Sequence, residues 1–105
     1  MNNAVGPVFR MGDEVELVVA AIEDDNPDTE IEVTDRGAYV RVEASDRLRV
    51  TQESLRRHLG PTFEIRQLQT MLSAFSGRIS TTSEEIVWEW GAGRRERLAR
   101  TGGEA

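Results

Sequence analysis

The sequence has 105 residues, of which 13 are basic, 19 are acidic and none is cysteine, and its formal net charge is −6. This length suits one domain, which buries roughly 65% of the unfolded chain's surface on folding. The lack of cysteine excludes disulfides, thiolate metal sites and cysteine nucleophiles, and the negative charge disfavours nucleic acid as a partner. No apolar run approaches the ~20 residues of a membrane span and no signal peptide is evident, so we expect a cytoplasmic protein without membrane contact.

Two elements are predicted at the start of the chain. The short apolar stretch Val5–Arg10 predicts a strand, and Pro7 favours an edge position because proline cannot donate a ladder hydrogen bond. A helix is predicted over 13–25, since valine and isoleucine recur there at helical spacing and Asp13 is a favourable N-cap. The Asn-Pro pair that follows ends this helix.

A hairpin, a further strand and a second helix are predicted next. The alternating pattern and its turn residues give, in order, a strand around Ile31–Val33, a turn at 35–37, a strand around Val40–Val42, a turn at 44–46 and a strand around Leu48–Val50. Thr51 is the predicted N-cap of a helix that runs to Leu59. Gly60 and Pro61 end it, because glycine accommodates the position past a helix end and proline cannot continue a helix.

The rest of the chain is predicted to form strands followed by a tail. Residues 73–77 are poor helix formers, so we expect a short turn near 64–67 and then a strand to about residue 79. Large apolar side chains at alternate positions predict a last strand over 86–90. Residues 91–105 combine arginine and glycine with almost no apolar side chain, which predicts a disordered tail.

The predicted fold class is α+β. The order strand, helix, strand, strand occurs at 5–44 and again at 46–90. This order predicts a two-layer fold of duplicated β-α-β-β motifs, with antiparallel-rich sheets and two main helices. The corresponding domain assignment is a flexible N-terminus at 1–4, a single domain at 5–90 and the tail at 91–105.

The densest charge in the sequence lies between Asp13 and Asp35, where ten acidic residues occur without a basic one. Such a block is either a solvated surface or a docking surface for a basic partner. Five positions from Asp24 onward match the spacing of a calcium-binding loop, but Thr29 stands where that loop needs glycine and Pro27 stiffens the backbone. We therefore predict no metal site.

No set of residues in the sequence points to catalysis or to a cofactor. His58 is the single histidine, and its predicted place is the surface of the second helix, without partners for a triad or a two-histidine metal site. Glycine-rich phosphate-binding motifs and the nucleophile-elbow motif do not occur in the sequence. Trp88 and Trp90 share one strand face and are predicted to pack in the core, with an interface role for Trp90 as the alternative.

The most unusual stretch places small residues around one aromatic side chain: Ser73, Ala74, Phe75, Ser76, Gly77 and Arg78. A glycine in a strand allows another backbone to approach closely, so the stretch is a candidate contact surface. The alternative is a bulged strand with an ordinary core phenylalanine. Alternation places 73, 75 and 77 on one face and 74 and 76 on the other, and the sequence leaves open which face meets a partner.

Four stretches together resemble one protein family. They are NNAVGPVFRMGD at 2–13, DNPDTEIEVTDRGAYVRV at 25–42, SLRRHLGPTF at 54–63 and SAFSGRI at 73–79. Over about residues 5–90 the chain resembles the small coupling, or effector, proteins of soluble diiron monooxygenases. It is most similar to those of the toluene, xylene and alkene enzymes, and less so to the regulatory components of phenol hydroxylase and methane monooxygenase.

The resemblance implies a regulatory protein that has no cofactor and is not itself an enzyme. Members of the family bind the hydroxylase oligomer above its diiron site and change the geometry and access of that site, which couples NADH oxidation to substrate oxygenation. The implied partner is a diiron hydroxylase, with a functional link to a Rieske ferredoxin and a flavin reductase. The free protein is expected to be a monomer. The implied hydroxylase contact is the segment Ser73–Arg78.

Two other functions stay open from the residues alone. One is a generic acidic interaction module unrelated to oxygenases, for which the acidic block between 13 and 35 is the relevant feature. The other is a small enzyme that uses paired carboxylates as acid and base. The sequence also leaves the hydrocarbon open, whether an aromatic compound or an alkene such as isoprene.

Overall fold

The computed structural model describes residues 2–91 and 97–98, which form three helices and eight strands. In chain order they are β1 (Ala4–Arg10), α1 (Val15–Asp25), β2 (Glu32–Asp35), β3 (Tyr39–Ser45), β4 (Arg47–Thr51), α2 (Gln52–Leu59), α3 (Ile65–Met71), β5 (Leu72–Ser76), β6 (Arg78–Thr81), β7 (Glu85–Glu89) and β8 (Arg97–Leu98). The predicted α+β class is confirmed. The two predicted main helices correspond to α1 and α2, and α3 is a third helix.

Two antiparallel sheets contain these strands. The first has the order β2-β3-β1-β5-β8, and the second has the order β4-β7-β6. In the first sheet β1 pairs with β3 and β3 pairs with β2, and in the second sheet β4 pairs with β7 and β7 pairs with β6. The predicted duplicated β-α-β-β motif is thus present in the pairing pattern, and the second copy has α3 and β5 inserted after its first helix.

β1 is a central strand, so the edge position predicted for it is wrong. It lies between β3 and β5 although Pro7 has no backbone N–H. The β1–β3 pairing includes Val5 and resumes at Val8, so Gly6 and Pro7 lie at an interruption of that ladder. At Gly6, whose φ is +140°, an added Cβ would lie 2.0 Å from the carbonyl oxygen of Val42. The missing donor is therefore accommodated by a local irregularity, as proline is at bulges.

α3 occupies the place of the turn predicted near 64–67, and that prediction is wrong. Glu64 and Gln67 form a capping box, in which each side chain accepts a hydrogen bond from the backbone N–H of the other residue. Ile65 and Leu68 are buried and lie three residues apart on one face of the helix. The low helix propensity of the serine- and glycine-containing stretch begins only at Ser73, after α3 has ended.

The ends of α1 and α2 follow most of their sequence signals. α1 begins at Val15 with Glu14 as the N-cap and without a side-chain cap bond, so the N-cap role predicted for Asp13 is wrong. The Thr51 hydroxyl accepts the N–H of Ser54 at 3.1 Å, which confirms the predicted cap of α2. Gly60 ends α2 with a φ of +115°.

A single buried cluster connects both sheets and all three helices. Its members lie on the inner faces of the strands and on one side of each helix: Val5, Phe9, Val15, Val18, Ala21, Ile22, Val40, Val42, Ala44, Leu48, Val50, Leu55, Phe63, Ile65, Leu68, Leu72, Phe75, Ile86 and Trp88. α1 packs against α2 and β4. Trp88 is fully buried, which confirms its predicted core position, whereas Trp90 is 37% exposed, so the core position predicted for it is wrong.

The termini differ in part from the sequence prediction. Ala4 already belongs to β1, and Asn3 donates its side-chain N–H to Asp46 at 2.9 Å, so residues 3–4 are tied to the domain. Residues 92–96 and 99–105 of the predicted disordered tail lie outside the described residues. Within that tail, Arg97–Leu98 forms β8, which pairs with Ala74 and Phe75 of β5 and departs from the prediction.

Candidate functional site

The six residues predicted to contact a partner form one segment that joins the two sheets: Ser73, Ala74, Phe75, Ser76, Gly77 and Arg78. The first four lie in β5 of the first sheet, Gly77 is the link, and Arg78 begins β6 of the second sheet. The two central residues of β5 are buried, the two serines are half-buried, and Arg78 is exposed. The segment therefore offers hydroxyl groups on β5, a strand fixed by its buried residues, and a guanidinium at the start of β6.

A bulge interrupts the alternation that was predicted for β5. The β1–β5 register pairs Val8 with Ala74 but Phe9 with Leu72, which leaves Ser73 as an extra residue on β5. Phe75 belongs to the buried core cluster. The side chains that remain accessible in β5 are accordingly the two serines, and not the aromatic ring.

Gly77 makes a close approach inside the protein instead of offering one to a partner. It is buried and has a φ of +93°. An added Cβ would lie 2.7 Å from Cγ1 of Val5 and 2.8 Å from the carbonyl oxygen of Glu89. Glycine is thus required where the chain passes from one sheet to the other, and this residue is removed from the surface that a partner could contact.

Ion pairs cover the outer face of the second sheet. Arg47 lies directly opposite Glu89, with their side chains 3.5 Å apart, and Arg49 donates to Glu85 at 2.6 Å. The hydrogen bond to Glu85 raises the pKa of Arg49 above its ordinary value, so this guanidinium is charged at any physiological pH. These charges are engaged with one another, and they leave Arg78 on the neighbouring strand available for another partner.

A polar cluster joins the end of α1 to the start of α2. The Asp25 carboxylate accepts the N–H of Thr51 at 2.7 Å and the hydroxyl of the buried Ser54 at 2.7 Å. Beside it, Asp24 lies 2.6 Å from Nε2 of His58, a partner that sequence reasoning did not identify for the histidine. Both carboxylates are held by groups of α2, so the cluster connects two helices and is not arranged as a free acid and base.

The side chain of Asn26 protects the outer edge of β4. Its Nδ2 donates to the carbonyl oxygen of Arg49 at 2.6 Å, and its Oδ1 accepts the N–H of Arg49 at 3.2 Å. Asn26 thereby pairs with the edge strand much as another strand would. Two residues of the calcium-loop pattern are therefore engaged within the protein: Asp24 contacts His58, and Asn26 pairs with Arg49.

Within 2–91 and 97–98, no group of three possible metal ligands occurs, and no helix is long and apolar enough to cross a membrane.

Comparison with known proteins assigns the fold to a family. The sequence profile of the MmoB/DmpM family matches residues 3–89. The chain belongs to this family. The matched range includes the whole segment Ser73–Arg78 and ends one residue before Trp90.

Two relatives describe the role of the family. Over 86 residues the chain is 38% identical to the effector subunit of the alkene monooxygenase system of Xanthobacter autotrophicus (strain ATCC BAA-1158 / Py2), with 82% of this chain and 85% of the relative covered. Over 90 residues it is 27% identical to DmpM, the stimulatory component of phenol 2-monooxygenase from Pseudomonas sp. (strain CF600), with 86% and 98% covered. Both relatives are named as effector or stimulatory components and not as catalytic subunits.

Two solved structures of a phenol hydroxylase–regulatory protein complex contain a chain with this fold. Their TM-scores are 0.72 and 0.68, their identities are 24% and 25%, and the matches cover 84% and 83% of this chain and 99% of each matched chain. The resemblance identified from the sequence is confirmed, and this chain is an effector, or regulatory, component of a multicomponent monooxygenase. The alternatives of an unrelated acidic module and of a stand-alone enzyme are wrong.

Proposed function

We propose that this chain binds the diiron hydroxylase oligomer of an alkene- or toluene-type monooxygenase in the cytoplasm and couples NADH oxidation to hydrocarbon oxygenation. The observation that carries the proposal is the 38% identity with an alkene monooxygenase effector subunit across 82% of the chain. The phenol hydroxylase complexes, in which a chain of this fold occurs together with a hydroxylase, support the partner. In this proposal the Rieske ferredoxin and the flavin reductase deliver the electrons, and the free effector is a monomer.

The hydroxylase contact that we propose is the segment Ser73–Arg78 without its buried glycine. Ser73 and Ser76 are half-buried at the surface of β5 and Arg78 is exposed, so these groups are available for hydrogen bonds and charge contacts. Phe75 fixes the strand to the core cluster. A contact strand that is already ordered loses little conformational entropy on binding, which favours a specific complex.

A regulatory effect requires that the chain prefer one state of the hydroxylase over another. A ligand shifts a conformational equilibrium only by the difference between its affinities for the two states. This chain needs no reactive group for such a role. Contacts that fit one arrangement of the hydroxylase's active-site entrance better than another are enough to shift the equilibrium between the two arrangements. Tight binding without that difference in affinity would leave the coupling unchanged.

The test is reconstitution with purified hydroxylase, Rieske ferredoxin and flavin reductase from the same source. Product formed per NADH consumed is measured with an alkene and with an aromatic substrate, while the concentration of this chain is increased. The ratio is expected to rise and then to saturate, and the substrate with the larger rise identifies the class of hydrocarbon. Serum albumin at equal concentration is the control. A ratio that stays at its starting value for both substrates contradicts the proposal.

A further inference from the structure

Four segments of the chain meet at one end of the molecule, which we call the Gly77 end: Asn3, Asp46, Ser76, Gly77, Arg78 and Trp90. Trp90 donates its backbone N–H to the carbonyl oxygen of Asp46 at 2.9 Å, and Asp46 donates its own N–H to the carbonyl oxygen of Asn3 at 3.0 Å. Gly77 packs so closely on the end of β7 that an added Cβ would lie 2.8 Å from the carbonyl oxygen of Glu89. The start of β1, the β3–β4 turn, the β5–β6 link and the end of β7 are therefore fixed to one another.

The backbone of the Gly77 end includes two residues in the left-handed region, both of types that adopt it readily. The described residues include two non-glycine residues with positive φ, Asn3 at 56° and Asp46 at 73°, and both lie at this end. The side-chain Nδ2 of Asn3 also donates to Oδ1 of Asp46 at 2.9 Å. This side-chain bond and the backbone hydrogen bonds of Asp46 and Trp90 order the Gly77 end.

Two side chains at this end, on opposite faces of the second sheet, belong to the types that anchor protein interfaces. Trp90 is 37% exposed, whereas Trp88 on the same strand face is fully buried. Arg78 is exposed and has no ion pair within the described part of the chain, because Glu89, its neighbour across β6 and β7, pairs with Arg47 at 3.5 Å. Tryptophan and arginine are enriched among the residues whose truncation weakens binding most.

We propose that Trp90 and Arg78 anchor this chain on the hydroxylase, with the indole in an apolar pocket of the hydroxylase and the guanidinium, on the other face of the second sheet, paired with a carboxylate of the hydroxylase. This inference rests on the proposed function and adds to it a residue, Trp90, that lies outside both the segment Ser73–Arg78 and the family match at 3–89. It also predicts that the hydroxylase surface is apolar where it receives the indole and acidic where it meets the guanidinium.

Three observations support the hydroxylase as the partner that Trp90 and Arg78 contact. The anchor is continuous with the proposed contact strand, because Gly77 follows Ser76 directly and the β6–β7 register, continued by one residue, places Trp90 opposite Gly77. The Arg78 guanidinium, which has no ion pair among the residues that the structure describes, is complementary to a carboxylate. The ordered backbone means that the exposed indole is presented with little loss of conformational entropy on binding.

The experiment measures the dissociation constant between the full chain and the hydroxylase from the same source, by biolayer interferometry, for Trp90→Ala and Arg78→Ala. Tyr39→Ala and Arg36→Ala are the matched controls. Tyr39 is 44% exposed and pairs with Arg10 at the opposite end of β1, ~20 Å from the Gly77 end at the rise of a strand. Circular dichroism and the Tm of each variant establish that it is folded.

Trp90→Ala is expected to raise the dissociation constant by about 30-fold or more and Arg78→Ala by about 10-fold, whereas each control changes it by less than about threefold. Added sodium chloride is expected to weaken binding of the parent more than binding of Arg78→Ala, because the charge pair is screened.

The outcomes separate this inference from the function on which it rests. If the parent binds and both anchor variants bind as tightly as it does, the anchor is refuted while the effector role stands. If only the control variants lose affinity, docking is at the opposite end of β1, and the inference is again refuted. A parent chain that binds no hydroxylase from its source contradicts the proposed function itself. Should Trp90→Ala fail to fold, Arg78→Glu changes one exposed side chain, and an unaltered dissociation constant for it overturns the anchor.

Discussion

Substitution of Gly77 by alanine tests whether the two sheets depend on a close approach at this residue. An L-residue at the positive φ of Gly77 costs roughly 1–2 kcal/mol. The added Cβ would also lie 2.7 Å from Val5 and 2.8 Å from Glu89, closer than real Cβ contacts come. Relief of such an overlap by movement of a packed core costs typically ~1–3 kcal/mol. The expected loss in free energy of unfolding is therefore roughly 2–5 kcal/mol.

Gly37→Ala is the matched control, because Gly37 has a φ of +81° but no atom within 4 Å of an added Cβ. We expect Gly37→Ala to lower the free energy of unfolding only by the cost of an L-residue at positive φ, roughly 1–2 kcal/mol. Urea unfolding followed by circular dichroism gives both free energies, and thermal unfolding gives a drop in Tm of about 4–8 °C for each kcal/mol. If Gly77→Ala lowers the free energy of unfolding by no more than Gly37→Ala does, the close contact at Gly77 does not contribute to stability and the reasoning is refuted.

Three further predictions concern stability. Asn26→Ala should lower the free energy of unfolding by about 1–3 kcal/mol, because it leaves the N–H and C=O of Arg49 unpaired at the edge of β4; a change below ~0.5 kcal/mol in urea unfolding contradicts this. Ser54→Ala should cost about 1–2 kcal/mol, because the buried hydroxyl donates to Asp25 at 2.7 Å, and an unaltered Tm refutes it. Removal of residues 99–105, which follow β8, should shift the Tm by less than ~5 °C, because their sequence offers almost no apolar surface, and a larger drop means that they dock.

Local sequence signals were sufficient for the elements whose ends are fixed by their own residues. Thr51 predicts the start of α2 because its hydroxyl needs only the N–H of Ser54, three residues away. Gly60 predicts the end of that helix for a similarly local reason, its positive φ. The hairpin of β2 and β3 follows from alternation and a turn. In each case the interaction that decides the structure lies within a few residues of the signal.

The sequence was insufficient where a distant contact decides the structure. Pro7 is tolerated in a central strand because the β1–β3 ladder is interrupted at Gly6 and Pro7, which the residues of β1 alone do not reveal. Gly77 has the appearance of a site for a partner, yet its close neighbours are Val5 and Glu89 of the same chain. Both errors come from contacts between residues far apart in the sequence.

The candidate site could be predicted in part. The segment Ser73–Arg78 is recognisable from its composition, and the structure shows which of its groups are accessible. The Gly77 end is assembled from four segments through backbone hydrogen bonds, such as that from Trp90 to Asp46 at 2.9 Å. Backbone hydrogen bonds carry no sequence signature. The available signals were Asn3 and Asp46, since asparagine and aspartate adopt positive φ more readily than most residues.

Amide hydrogen exchange of this chain, with and without saturating hydroxylase from the same source, tests most directly that the chain acts by docking through β5, β6 and the Gly77 end. The amides of residues 73–79 and of Trp90 are expected to exchange more slowly in the complex, because docking suppresses local opening of these hydrogen-bonded strands, while the first turn of α1 keeps its free rate. Slower exchange confined to α1 and β2, the acidic block between Asp13 and Asp35, or no change at any amide, would contradict the account.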